Sequence, residues 1–154
     1  MLDALLITQL LLTGFMTGLI WFVQVVHYPL FIRVGREAFL AYESDHVKRT
    51  TRVVAPVMLS EAAIAAVLLF VAPAGLLLAL AWIGLALLAL VWLSTAGLQV
   101  PCHRMLSRAF DPAAAARLCD TNWIRTFGWT ARLVLAAAML IASLQHRATA
   151  VPTP

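Results

Sequence analysis

The chain has 154 residues, 63% of them hydrophobic and 12% charged, with a formal net charge of +4. A soluble domain is about half apolar and about a quarter charged, and no soluble core of this size accommodates the excess; lipid is the solvent that does. The basic balance does not point to nucleic acid, because the arginines and lysines flank apolar runs and form no patch interleaved with aromatic residues.

The first apolar run covers about residues 4–32 and reaches Arg33 without a charge after Asp3. No basic segment precedes it and it is too long for a signal peptide core, so it predicts a retained membrane helix. Gly14 and Gly18 form a small-residue pair that lets another helix approach closely. Pro29 predicts a bend or an end near His27 and Tyr28. The polar stretch from Arg33 to Arg52 reads as a loop with a short interfacial helix over about Glu37 to Val47.

A second span follows over about residues 53–72, with Glu61 as its only charge. Pro73-Ala74-Gly75 is a tight turn, and a third, uncharged span covers about residues 76–98. A second polar loop extends from Val100 to Thr121. Within it, Asp111-Pro112 carries the signature of a helix start, opening a short helix to Leu118. The fourth span covers about residues 122–144, and Gln145 to Pro154 reads as a frayed tail. The expected fold is therefore all-α: an antiparallel four-helix transmembrane bundle in a single domain, with two longer loops and no legible internal repeat.

Arg33, Arg36, Lys48, Arg49, Arg52, Arg104, Arg108, Arg117 and Arg125 all lie in or beside the two long loops, whereas the N-terminus and the hairpin turn carry no basic side chain. The positive-inside rule then puts the loops in the cytoplasm and both termini outside, in a multi-pass protein of the cell membrane. Cys102 and Cys119 fall in or next to the second loop without CxxC spacing and read as reduced thiols.

This topology collects Gln24, His27, Glu61, Thr95, Gln99, His103, Asn122, Arg125, Trp129 and Arg132 toward the loop end and leaves the other half of the membrane apolar. Glu61 and Arg132 lie at matching depths, about 12 and 14 Å from their span ends at 1.5 Å of rise per residue. A charge that deep costs about 3 kcal/mol, so the two are expected to face inward and interact. That pair serves either to fix helix order or as the charged floor of a site. Asn122, Arg125, Trp129 and Arg132 share a helix face. His27, Glu61 and His103 make a two-histidine, one-carboxylate set of the kind that binds non-haem iron, and imidazole also suits copper. Their spacing is no local metal motif, and we favour no metal over a metal at these positions.

The segment Ser94-Thr95, continued by Val100-Pro101-Cys102-His103-Arg104-Met105-Leu106, together with Trp123 to Arg132 in the fourth span, resembles the anthrone-oxygenase-like family of small four-span membrane proteins. In that family a Thr near the end of the third helix precedes Pro-x-Asn-x-x-Leu, and the fourth helix carries Trp, His and Arg. Here His103 stands in place of the usual Asn, and Trp129 stands near the usual His. The resemblance implies an oxidoreductase acting on a lipophilic aromatic or quinone-like compound, with Arg132 in the place of the family's Arg.

In that reading His27 or His103 is the base or ligand, Arg125 and Arg132 stabilise a developing phenolate or enolate, and Glu61 orients them. Gln24, Thr95, Gln99, Asn122 and Trp129 would line the substrate. Such an enzyme needs a pocket at the loop end lined by His27, Glu61, Gln99 and Arg132. A non-catalytic subunit or assembly factor of a larger membrane complex, or a homo-oligomer, predicts instead a closed Glu61–Arg132 pair and no pocket. A small-molecule transporter predicts a polar path to the far side.

Overall fold

The computed structural model describes residues 1–150, with side chains to 148. The chain forms helices α1 (Leu2–Phe31), α2 (Arg36–Val71), α3 (Leu76–Leu106) and α4 (Pro112–Ala150), and the described residues contain no strand. Each helix is long and apolar enough to cross a bilayer, so the chain is an integral membrane protein. In the bundle α4 packs against α1 and α3, and α2 packs against the same two helices from the other side. Neighbours in sequence are thus neighbours in space and run antiparallel.

The polar stretches expected as loops are mostly helix. The 36 residues of α2 reach about 54 Å, well beyond a hydrocarbon core about 30 Å thick, so its polar first half projects past the lipid. Hydropathy ends where the bilayer ends, but main-chain hydrogen bonding does not, and Arg36 to Arg52 simply continue the helix. The first connection shrinks to residues 32–35 and the second to 107–111. At Asp111 the expected helix start is present: its Oδ1 accepts from the N–H groups of Ala113 at 2.9 Å and Ala114 at 3.3 Å. The helix that opens there merges with the fourth span. It also continues through Gln145 to Ala150, where a frayed tail was expected; Val151 to Pro154 lie outside the described residues.

Neither Pro29 nor Pro101 ends its helix. Each follows a π turn, Val23–His27 in α1 and Thr95–Gln99 in α3. The N–H of Tyr28 reaches back to the carbonyl of Val23, and that of Val100 to Thr95, so the widened turn moves aside the carbonyl a proline ring would strike. Helix, π turn, proline, short extension and long return helix thus occur twice in the same order. The duplication lies in backbone plan, which is why residue identities do not reveal it.

Three apolar layers fill the bundle. Leu6, Leu68, Leu77 and Met139 pack near the hairpin turn; Met16, Ile20, Leu88, Val91 and Trp129 pack at the middle; Tyr28, Phe31, Phe39, Leu106 and Leu118 pack at the opposite end. Phe70, Leu93, Leu11 and Val134 are at least two-thirds exposed and form the outward apolar belt that lipid covers. Among the glycines the tightest surroundings are at Gly128, where a Cβ would lie 2.6 Å from Val91 Cγ2. At Gly18 a Cβ would meet nothing within 4 Å, so the Gly14/Gly18 pair marks no tight contact inside the chain.

Candidate functional site

The buried polar groups separate into two clusters, where sequence placed them in one. The first is closed. Arg132 Nη2 donates to Glu61 Oε1 at 3.1 Å, Gln9 Nε2 donates to the same oxygen at 3.0 Å, and the Thr13 hydroxyl donates to it as well. Arg132 Nη1 donates to the carbonyl of Gly84, whose missing side chain leaves that oxygen open. Glu61 is fully buried and Arg132 nearly so, and the guanidinium lies 5.8 Å from the Trp129 ring centre. Inward-facing, interacting charges were expected here, and they are present.

The second cluster lies at the loop end, where the long α2 brings up side chains expected on a separate short interfacial helix. Glu43, fully buried, accepts from His103 Nδ1 at 2.8 Å. That contact sets the imidazole and leaves its Nε2 toward the Tyr28 hydroxyl at 3.5 Å. His46 stacks between His27 and His103, with ring centres 4.5 and 5.4 Å away, and its Nδ1 is 3.3 Å from the Thr50 hydroxyl. Behind them runs an amide chain: Gln24 Nε2 donates to the Cys119 carbonyl at 3.2 Å, Asn122 Nδ2 donates to Gln24 Oε1 at 2.8 Å, and Arg125 Nη1 donates to Asn122 Oδ1 at 3.2 Å. Gln99 Nε2 donates to Thr121 and its Oε1 accepts from Ser94, which ties the π turn of α3 to α4.

These groups border a cleft of about 430 Å³ between α2 and α3. Its walls are His46, Val47, Thr50, Thr51 and Val54 on one side and Thr95, Gln99, Val100, His103, Arg104 and Arg108 on the other, with Arg125 behind. Of the expected site residues, Thr95, Gln99, His103 and Arg125 line it, His27 adjoins it through His46, and Gln24 and Asn122 support Arg125. Glu61, Arg132 and Trp129 lie elsewhere. Fifteen residues of continuous α2 separate His46 from Glu61, about 22 Å along the axis, so Glu61 cannot join His27 and His103 in a ligand set. Among the described residues, no group of three histidine, cysteine or carboxylate side chains is arranged to hold a metal ion.

Glu43, His46, Tyr28 and Thr50 were not singled out as site residues. His46 and His103 lie in polar stretches where sequence suggests solvated side chains, whereas both are helical and partly buried. The signal that could have found them is the spacing of Glu43, His46 and Thr50 at steps of three and four, a single face once the segment is taken as helix. Comparison with models of protein families, with curated proteins and with solved structures finds no match.

Proposed function

We propose that the cleft is the site of a membrane oxidoreductase of oxygenase type that acts on a lipophilic aromatic or quinone-like compound. The observation that carries this reading is the Glu43–His103 pair at the cleft wall. A buried carboxylate fixes one imidazole nitrogen and leaves the other, 3.5 Å from the Tyr28 hydroxyl, to take a proton, the arrangement of an oriented general base. Arg125 supplies positive charge for the phenolate or enolate that forms, and the Tyr28 hydroxyl lies beside both His103 and Arg125. Arg132, already engaged by Glu61, takes no part. With an anthrone, the substrate class implied by the resemblance, the carbanion left by proton removal reacts with dioxygen. One oxygen atom becomes the new ring carbonyl and the other leaves as water, so the scheme requires no metal.

The basic residues around the cleft support a cytoplasmic location for it, with both termini outside. In this reading a lipophilic substrate enters at the membrane interface, where α2 leaves the lipid.

The test is quinone formation and oxygen uptake by the protein in nanodiscs supplied with an anthrone. His103→Gln is expected to lower kcat by about 100-fold or more. Wild-type-like turnover in that variant removes His103 as base. One observation favours a second reading, a structural subunit of a larger membrane complex: the Glu61–Arg132 pair is closed, as expected of a charge pair that only fixes helix order. No turnover, combined with co-purification of a constant partner, would establish that alternative.

A further inference from the structure

We infer that the cleft binds an anionic amphiphile, its carboxylate or phosphate held by Arg125 with Arg104 and Arg108 and its apolar body lying along Val54 and Val100. This deepens the reading above: the negative charge that meets Arg125 is carried by the ligand on arrival and is not only developed during reaction.

The argument begins with Arg125. Its side chain is nine-tenths buried, it lines the cleft, and its Nε has no hydrogen-bond partner. The groups it does reach, Asn122 Oδ1 and the Tyr28 hydroxyl, are neutral. Among the described residues, Arg125, Arg104 and Arg108 form no ion pair with a carboxylate, and no Asp or Glu lines the cleft.

The same bundle shows what a buried arginine ordinarily requires, since Arg132 has Glu61 at 3.1 Å. A buried guanidinium without a counter-ion is costly, and bulk water cannot serve Arg125 as it serves an arginine at a helix end. The positive-inside pattern accounts for the exposed Arg104 and Arg108 taken alone. It does not account for a third, buried arginine converging with them on one cavity. The valines beside the arginines make the cleft amphipathic, so a small hydrophilic anion would leave that apolar wall unused. The shared chemistry, an acid on an apolar body, has two sources: the headgroup of an anionic membrane lipid, or a diffusing aromatic acid.

The full chain, in nanodiscs of phosphatidylcholine, is titrated with two fluorescent probes, 9-anthracenecarboxylate and its uncharged counterpart 9-anthracenemethanol. The carboxylate is expected to bind at least about tenfold more tightly. That preference should collapse toward unity in Arg125→Gln and diminish in Arg104→Gln, a variant at an exposed position that guards against misfolding of the first. His103→Gln should retain it, so a failed catalytic reading and a failed anion site give different results. Competition by added phosphatidylglycerol assigns the site to lipid headgroups, and its absence assigns it to a diffusing acid. Equal binding of the two probes, or a preference unchanged in both arginine variants, overturns the inference.

Discussion

Arg132 on α4 and Glu61 on α2 form an ion pair at 3.1 Å in the middle of the bundle, with both side chains withdrawn from lipid and from the loop-end cleft. Gln9, Thr13 and the Gly84 carbonyl complete the set, so each of the four helices contributes to it. The set therefore links all four helices through one buried charge pair.

Breaking that pair from one side strands a charge in the apolar interior. Arg132→Met and Glu61→Leu are each expected to cost about 3–5 kcal/mol, and the double variant markedly less than their sum. Thermal unfolding of the detergent-solubilised protein measures this, and strictly additive losses would show the two residues to be energetically independent.

In the proposed oxygenase the Glu43 carboxylate acts through the His103 imidazole it contacts at 2.8 Å. Glu43→Gln should retain the cleft and hold KM near the wild-type value while lowering kcat by about 10- to 100-fold, because the amide orients His103 but carries no charge. A rise in KM at constant kcat would instead assign Glu43 to binding.

Packing between α3 and α4 gives a prediction that does not depend on function. Gly128→Ala places a methyl group 2.6 Å from Val91 Cγ2 and is expected to cost about 1–3 kcal/mol, relieved by a second change, Val91→Ala. Gly18→Ala meets nothing within 4 Å and should be neutral or stabilising. Equal losses from the two alanines would contradict the close approach at Gly128.

Elemental analysis of the purified protein addresses the ligand question. With Glu61 remote from His27 and His103, iron, copper and zinc are expected well below one per chain, and unchanged by His27→Ala or His103→Ala. Stoichiometric metal lost in both variants would mean that the histidines rearrange into a site.

Sidedness is open to cysteine labelling. In a chain with Cys102 and Cys119 replaced by alanine, a membrane-impermeant maleimide added to intact cells should label Ala74→Cys, in the hairpin turn, and leave Ser107→Cys unlabelled until the cells are opened. The reverse pattern inverts the topology and moves the cleft outside.

Composition and hydropathy by themselves determined the solvent, the number of crossings and the all-α class. Each of these depends on the transfer of apolar side chains into lipid, a property that adds up residue by residue along the chain. The inward Glu61–Arg132 pair followed from the same reasoning, since matched depths and the cost of burial leave few other outcomes.

Tertiary structure alone decided how far the helices continue past the lipid and which polar groups then meet. Arg36 to Arg52 look like a loop with a separate short helix over about Glu37 to Val47, because hydropathy reports the environment of a segment and not whether its hydrogen bonding runs on into the next span. Once α2 is seen to be continuous, Glu43 and His46 fall beside His103, while Glu61 is carried about 22 Å away from them. The π turns before Pro29 and Pro101 are equally invisible in residue identities, since Pro56 lies within α2 without one. A ligand-binding cleft depends on separations between side chains remote in sequence, and such separations exist only after the helices have packed.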